Sequence, residues 1–547
     1  MILMSAHFKW YPASEEVVVP WNARYSFPSQ ANKAVKITPR IPPKNGAAFS
    51  PGQVIRLEFP AQGYVNPLNT TLEFDVTLYG HTSAVTQILR FQNNIQSIFN
   101  RVRLLYGATP LEDMINYNVI VRSLTEWTAT SQHMTMDQTS VSEGIGGVTL
   151  ATDSSSSPYF GVANTRNKYI HGISTAGVGS TNFTAGAGFS VVPQGSDVPS
   201  GITGNGSLGI TRRYQVNFAL GLFTQDKLIP TKFMASQLAI EITLEQANAC
   251  IYVNPSSTTT VTGSPTYGVG NVNLIPEILE FDASYDSMFL AGLRDGGVPI
   301  KFSSWHTFIF SSGSASNINL LVQERSRSVK ALFAVQRRQQ PTFYTDAHAT
   351  LFDTSSTGAS TLQNYQFRIG GRYFPASPVQ CSSNVGSAYS NGGAEAYVEL
   401  SKALNIVGDY RLSTGVNSSK WALQNATGHL QEYDYADALR LVGTNGIPSV
   451  TVIESATNGF CGTLGSQCFA MATDLETSNG VEISGLNAEE QSDIALIANW
   501  TLPQVTGSTQ TLGSNTVSGG VPSSLEVYSY YDAMIVLREN NVLELIQ

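Results

Sequence analysis

The chain has 547 residues, with 31 Lys plus Arg against 40 Asp plus Glu and a formal net charge of −9. Charged residues make up 13%, about half the ~25% usual in soluble proteins. With 42% hydrophobic residues, this balance excludes a chain disordered throughout and a strongly basic nucleic-acid binder, and no apolar run approaches the ~18 residues of a membrane-spanning helix.

Ser, Thr, Asn, Gln and Gly stand where charge would usually sit. Neutral polar surface costs less to desolvate than charged surface. The composition therefore fits a protein whose surface largely meets other copies of itself; a secreted polar β-protein fits it equally well. The first ten residues hold only Met1-Ile2-Leu3-Met4 as an apolar run, short of the about 7–15 residues of an export signal. The expectation is no secretion signal and synthesis in a reducing compartment, the cytoplasm. Four cysteines (Cys250, Cys381, Cys461 and Cys468) are too few for a disulfide framework. Cys461 and Cys468 share one loop, either as a pair or as two thiols.

Residues 1–50 read as an extended arm. Within it Arg24, Lys33, Lys36, Arg40 and Lys44 form a basic run without an acidic residue. Five charges over 21 residues are sparse for neutralising packaged nucleic acid, which takes many phosphate contacts. Strand signals follow near 54–60, 71–79 and 99–106. In Thr71–Tyr79, Leu72, Phe74, Val76 and Leu78 alternate with Glu73, Asp75 and Thr77, the period of a half-buried strand. Met114, Tyr117, Ile120, Leu124 and Trp127 predict a helix near 114–127. A long segment rich in Gly, Ser and Thr, 128–211, precedes two clean strands: Tyr214–Leu220, and Leu238–Glu245 with Leu238, Ile240, Ile242 and Leu244 on one face. One polar face per strand marks antiparallel sheets.

Met288, Phe289, Leu290 and Leu293 predict a short helical connector over 286–297, ending at Gly296-Gly297. The second half then repeats the order of the first. Strands near 300–310, 317–336 and 364–374 lead to a helix near 394–407 (Tyr397, Leu400, Leu404, Val407), with Gly408 at its C′ position. A second polar segment, 411–465, is followed by strands at Ile494–Trp500 and Val527–Leu537. The repetition is one of architecture, as an ancient duplication would leave.

No catalytic constellation emerges, and the chain is not expected to be an enzyme. Catalytic, cofactor and metal residues are all none. Gly144–Gly147 and Gly186–Gly188 lack a following Lys-Ser/Thr and lie in polar loop rather than at a strand-to-helix turn. The seven histidines are scattered singly. Asp474 and Glu476 could hold a cation, but read better as a solvated face. One basic cluster, Arg325, Arg327, Lys330, Arg337 and Arg338, is opposed in sequence only by Glu324. On a strand Arg325, Arg327 and Arg337 would share one face, which reads as a surface for inter-subunit salt bridges or simple solvation, with nucleic acid or an acidic neighbour as the sharper possibility.

Particular segments resemble a known family. Ile98-Phe99-Asn100-Arg101-Val102-Arg103-Leu104-Leu105-Tyr106-Gly107, then Leu111-Glu112-Asp113 and Tyr117-Asn118, looks like the first-roll strand and helix of double jelly-roll major capsid proteins, those of Polinton-like viruses and virophages above all. Leu222-Phe223, Leu228-Ile229-Pro230 and the strand Leu238–Leu244 are similar to the end of that roll. Ile483-Ser484-Gly485-Leu486-Asn487 and Tyr531-Asp532-Ala533 resemble parts of the second.

The resemblance implies an all-β fold of two tandem eight-stranded antiparallel jelly rolls. The first would span 51–285 with its loop insertion about 128–211, and the second 286–547 with its loop about 411–465. It implies a homotrimeric, pseudo-hexameric capsomer tiling an icosahedral shell around double-stranded DNA, with the chain located in the virion. Implied partners are the chain itself, neighbouring capsomers, penton and minor capsid proteins, and any membrane beneath the shell through the N-terminal arm. No cofactor and no sequence-specific nucleic acid is implied. The alternative is a secreted carbohydrate-binding or carbohydrate-cleaving β-sandwich.

Overall fold

The computed structural model describes residues 34–79, 88–91, 95–128, 142, 172–174, 210–254, 266–311, 317–338, 362–381, 394–406, 469–476, 484–491, 493–500, 510–512, 515–517, 523–539 and 543–547. The segment 411–465, nearly all of 128–211, Cys461, Cys468 and Gly408 lie outside them.

In the first half the strands are β1 (Ala34–Ile37), β2 (Ala48–Phe49), β3 (Val54–Glu58), β4 (Tyr64–Tyr79), β5 (Ile88–Phe91), β6 (Phe99–Tyr106), β7 (Thr109–Ile115), β8 (Gly172–Ser174), β9 (Ile210–Asn217), β10 (Leu238–Leu244), β11 (Ile251–Asn254) and β12 (Thr266–Phe281). One sheet runs β1-β12-β4-β9, with β2 also on β12, and a second runs β3-β10-β6-β7. A small sheet, β11-β5-β8, accompanies them.

The second half has β13 (Val298–Ser311), β14 (Asn317–Val322), β15 (Val329–Arg338), β16 (Leu362–Ile369), β17 (Arg372–Gln380), β18 (Met471–Asp474), β19 (Ile494–Trp500), the short hairpin β20 (Gln510–Leu512) and β21 (Asn515–Val517), β22 (Ser523–Leu537) and β23 (Leu543–Ile546). Its sheets run β13-β22-β15-β18 and β14-β19-β16-β17.

Counting β1 and β2 as one interrupted strand, each half has eight principal strands. In both halves the first, eighth, third and sixth form one sheet, and the second, seventh, fourth and fifth the other. All these pairings are antiparallel. This is the jelly-roll order, two Greek keys folded into a sandwich, and it occurs twice. A lone sandwich joined to an unrelated domain is thereby excluded. In both halves a helix follows the fifth strand, Tyr117–Thr128 after β7 and Ala394–Ala403 after β17.

The alternation read in Thr71–Tyr79 is the sheet's real polarity. Phe74 meets Phe99 of the facing sheet at 5.5 Å between ring centroids, and Leu72, Phe74 and Val76 are buried. Glu73, Asp75 and Thr77 point the other way, outward.

Several boundaries differ from the sequence reading, each for a local reason. The arm ends earlier: Ala34–Ile37 pairs with Ile278–Phe281, and Ala48–Phe49 with Val269–Gly270. Prolines and missing alternation hid this strand. Met114 closes β7 rather than opening the helix, because Asn116 takes a left-handed turn (φ 53°) between them, a conformation Asn tolerates. The stretch 317–336 splits into β14 and β15, and 364–374 belongs to the hairpin β16–β17 turning at Gly370-Gly371, both at positive φ. Asn405 (φ 57°) supplies the left-handed helix end expected of Gly408, with Ile406 N–H donating to Ser401 O. Strand β12 was not anticipated. Its buried Tyr267 and Val269 are followed by Val272 and Leu274, one residue out of phase, because a bulge at Asn271 (φ 49°) inserts an extra residue.

The connector is the helix Ala283–Arg294, whose first N–H bonds to the Asp282 side chain. Its Phe289 and Leu293 pack with Tyr64, Phe233 and Leu537, so the end of β22 is tied to the start of β4.

Candidate functional site

A buried polar constellation lies along the seam between the rolls. It is built by β7, the turn and helix after it, and the segment Leu220–Thr224 on one side. On the other side stand β13, β22 and β15. Register places Thr307 opposite Tyr528, and Phe333 opposite Tyr528, so these residues share one face of the second roll. That face meets the first roll. Trp127 stacks on Phe333 at 5.3 Å, and Trp305 lies against Phe333 and Tyr530. The Thr307 hydroxyl donates to Ile115 O at 2.9 Å. Asn116 donates from its side chain to Glu526 at 2.9 Å, and the Tyr528 hydroxyl bonds the same carboxylate.

Glu112 is the centre of the seam. Its carboxylate accepts from the backbone N–H groups of Gly221 (2.7 Å) and Leu222 (2.8 Å), and from the Ser304 hydroxyl of the second roll (2.6 Å). Burial pushes its carboxyl above the ordinary range, against the pull of these hydrogen bonds. Gly221 is required by close approach: a Cβ there would sit 2.0 Å from Ser303 O. One continuous cluster of buried apolar residues extends through both rolls across this seam. The arrangement locks two sandwiches into one rigid block, because a buried carboxylate stripped of its donors is costly. Strand alternation concealed it: Leu111 and Glu112 are adjacent, yet 1% exposed each, as happens only where both faces are covered.

A second buried carboxylate, Glu324, accepts from Arg325 N–H, Ser326 N–H and the Ser326 hydroxyl, and faces His306 Nδ1 at 3.1 Å. Burial alone would raise its pKa, but His306 and the Ser326 and Ser529 hydroxyls bring it to about 2.

Three members of the basic cluster have partners within the chain, and the side chains of Arg337 and Arg338 lie outside the described ones. Arg325 donates to Gln491 O, Arg327 pairs with Glu489 at 2.8 Å, and Lys330 with Glu476 at 2.9 Å. Arg325 and Arg327 precede β15, so they do not share a strand face with Arg337. In the basic run of the N-terminal stretch Lys36 pairs with Glu277, Arg40 with Glu73 (3.4 Å) and Lys44 with Glu58 (3.3 Å), while Arg24 and Lys33 lie outside the described residues. Glu476 is taken by Lys330 and the Ser484 hydroxyl, and its own N–H donates to Asp474 at 2.9 Å. Of the seven histidines only His306 is among the described residues, as are Cys250 and Cys381, both buried free thiols. No described group of three His, Cys, Asp or Glu could hold a metal ion, and no described helix is long and apolar enough to cross a membrane. Gly144–Gly147 and Gly186–Gly188 lie outside the described residues.

No protein-family model matches the sequence, and no curated protein does. Solved structures do. A chain in the cryo-EM structure of the Sputnik virophage is similar at a TM-score of 0.53 and 12% identity, over 98% of this chain and 92% of that one. This is the double jelly-roll fold of viral major capsid proteins. The PBCV-1 virus capsid aligns at a TM-score of 0.49 and 10% identity (96% of this chain, 99% of that one), and the mavirus major capsid protein at 0.46 and 11% (98% and 96%). At such identities the likeness is one of fold. In the double jelly roll of this chain the seam residues Glu112, Asn116, Trp127, Gly221 and Ser304 are what turn two rolls into a single unit. The resemblance had drawn attention to Leu111-Glu112-Asp113 and Tyr117-Asn118, but not to what Glu112 holds.

Proposed function

We propose that the chain is a major capsid protein. It would assemble as a homotrimer of six rolls, a pseudo-hexameric capsomer that tiles an icosahedral shell around a double-stranded DNA genome. The observation that carries this reading is the twice-repeated strand order, locked edge to face by the Glu112 seam. A rigid pair of like rolls is the unit from which three copies generate a near-sixfold tile. The likeness to a virophage structure over 98% of the chain supports it. So does the low charge fraction of 13%, which suits surfaces desolvated against copies of themselves.

In this reading the role is structural and the location is the virion. The partners are other copies, with penton and minor capsid proteins at the shell's special positions. Residues before Ala34 would lie beneath the shell, where a membrane would meet them. Light scattering and negative-stain imaging of the purified full chain test it. Three-chain particles with a hexagonal outline are expected; a stable monomer at micromolar concentration would overturn the reading.

A further inference from the structure

The helix that joins the two rolls leaves much of its apolar surface uncovered. In Ala283–Arg294 only Leu293 is fully buried. Tyr285 and Met288 are 41% and 72% exposed. With Gly292 they lie three and four residues apart, on one flank of the helix. A Cβ at Gly292 would meet nothing within 4 Å. The flank is an apolar ledge with a gap in it, about 10 Å long at ~1.5 Å per residue. Asp295, the C-cap residue, continues the same flank and is exposed, with no side-chain partner among the described residues.

The backbone brings a particular segment to this ledge. Ala34, the first described residue, pairs with Phe281, and the Phe281 ring lies 4.5 Å from that of Tyr285. The chain before Ala34 therefore enters at the Tyr285 end. Six of those 33 residues are aromatic (Phe8, Trp10, Tyr11, Trp21, Tyr25 and Phe27), nearly twice the 10% of the whole chain. Phe27 and Tyr25 stand seven and nine positions before Ala34. Extended chain carries them up to about 24 and 30 Å, well beyond the ledge's length.

Charge agrees with that occupant. Trp21–Phe27 holds Arg24 and no acid, and the open end of the ledge holds Asp295. The helix and its caps carry Asp282, Asp286 and Asp295 against Arg294. That balance is wrong for an anionic lipid surface, which is met by Lys and Arg.

We propose that Trp21–Phe27 docks on the Tyr285–Met288–Gly292 flank of the connector helix of its own chain. Phe27 and Tyr25 cover Met288 and the gap at Gly292, and Arg24 meets Asp295. The helix that ties the rolls together then also anchors the N-terminal arm and sets where residues 1–20 leave the molecule. The contact lies within one chain, so it stands apart from the trimer reading.

Photo-cross-linking of the full-length protein tests this. Met288 is replaced by p-benzoylphenylalanine, and isotopically light and heavy copies are mixed so that adducts within a chain are told from those between chains. Adducts into residues 21–27 of the same chain are expected. Adducts into another copy, or none into residues 21–27, would overturn the proposal. The second readout is thiol labelling of the Met288→Cys variant, located by peptide mass so that the native cysteines do not interfere. Replacing Trp21, Tyr25 and Phe27 by Ser in that variant is expected to speed labelling at position 288 at least tenfold. Equal rates would overturn the proposal. So would protection that appears only when phosphatidylcholine vesicles are added, which would assign the ledge to lipid.

Discussion

The outer faces of the two eighth-strand sheets have the same topology and opposite chemistry. On the first roll Glu73, Asp75 and Arg213 form an ion-paired network, with Arg213 exposed, Glu73 buried beside it and Arg213 to Asp75 at 2.7 Å. On the second roll the equivalent face carries Trp305, Phe333 and Tyr528, with Trp127 of the first roll stacked on Phe333. What differs is the neighbour, not the strand order. A sheet face becomes aromatic where a permanent partner covers it, and stays polar and ion-paired where it must also face water.

Substitutions that strip the covered face should cost most. Trp127→Ala removes the ring stacked on Phe333 and is expected to lose about 3–5 kcal/mol, read as a fall in denaturant midpoint; a loss below about 1 kcal/mol would mean the rolls do not depend on this contact.

Acid comes next, because it separates the faces. Glu324, buried in the second roll, has its pKa depressed from 4.5 to about 2. Its contribution is therefore complete above pH 4.5 and is lost as pH falls toward 2, on the order of 3 kcal/mol. Glu324→Gln should flatten stability over that window. Glu112 runs the other way: burial raises its pKa, so its contribution is complete below 4.5 and declines as pH rises through the raised value. Glu112→Gln should remove that decline, and unchanged pH profiles in both variants would contradict the burial assigned to them.

Gly221→Ala forces a methyl against Ser303 O and is expected to cost about 1–3 kcal/mol through a strained seam, seen as a lowered Tm. The smallest effect belongs to the open face. Arg213→Ala breaks an exposed pair with Asp75, and about 0.2–1 kcal/mol is expected, shrinking further in high salt. A larger loss in the isolated chain would mean that this face is already covered.

Much of the fold was legible because a half-buried strand writes its polarity into every second residue. Leu72-Phe74-Val76 and Leu238-Ile240-Ile242 could be read directly, and so could the connector, from Met288 to Leu293. The illegible parts are those where that rule is suspended. Bulges at Asn271 and near Pro276 shift the phase of β12. Prolines break up the first strand, so Ala34–Phe49 reads as arm in the sequence. Glu112 was given no role of its own, because nothing adjacent in sequence announces the two N–H groups and the hydroxyl it collects from residues 109, 110 and 192 positions away. The basic residues show the same limit. Lys36, Arg40 and Lys44 look unopposed along the chain, but each finds a carboxylate on the first roll.

The sequence by itself determined two all-β halves of like order, because burial period and turn chemistry act over a few residues at a time. Only the tertiary structure decided how the halves meet: which polar groups are buried, which charges are cancelled, and which sheet face is left open. Those outcomes depend on groups brought together from distant parts of the chain, and desolvation acts on the groups that meet in space.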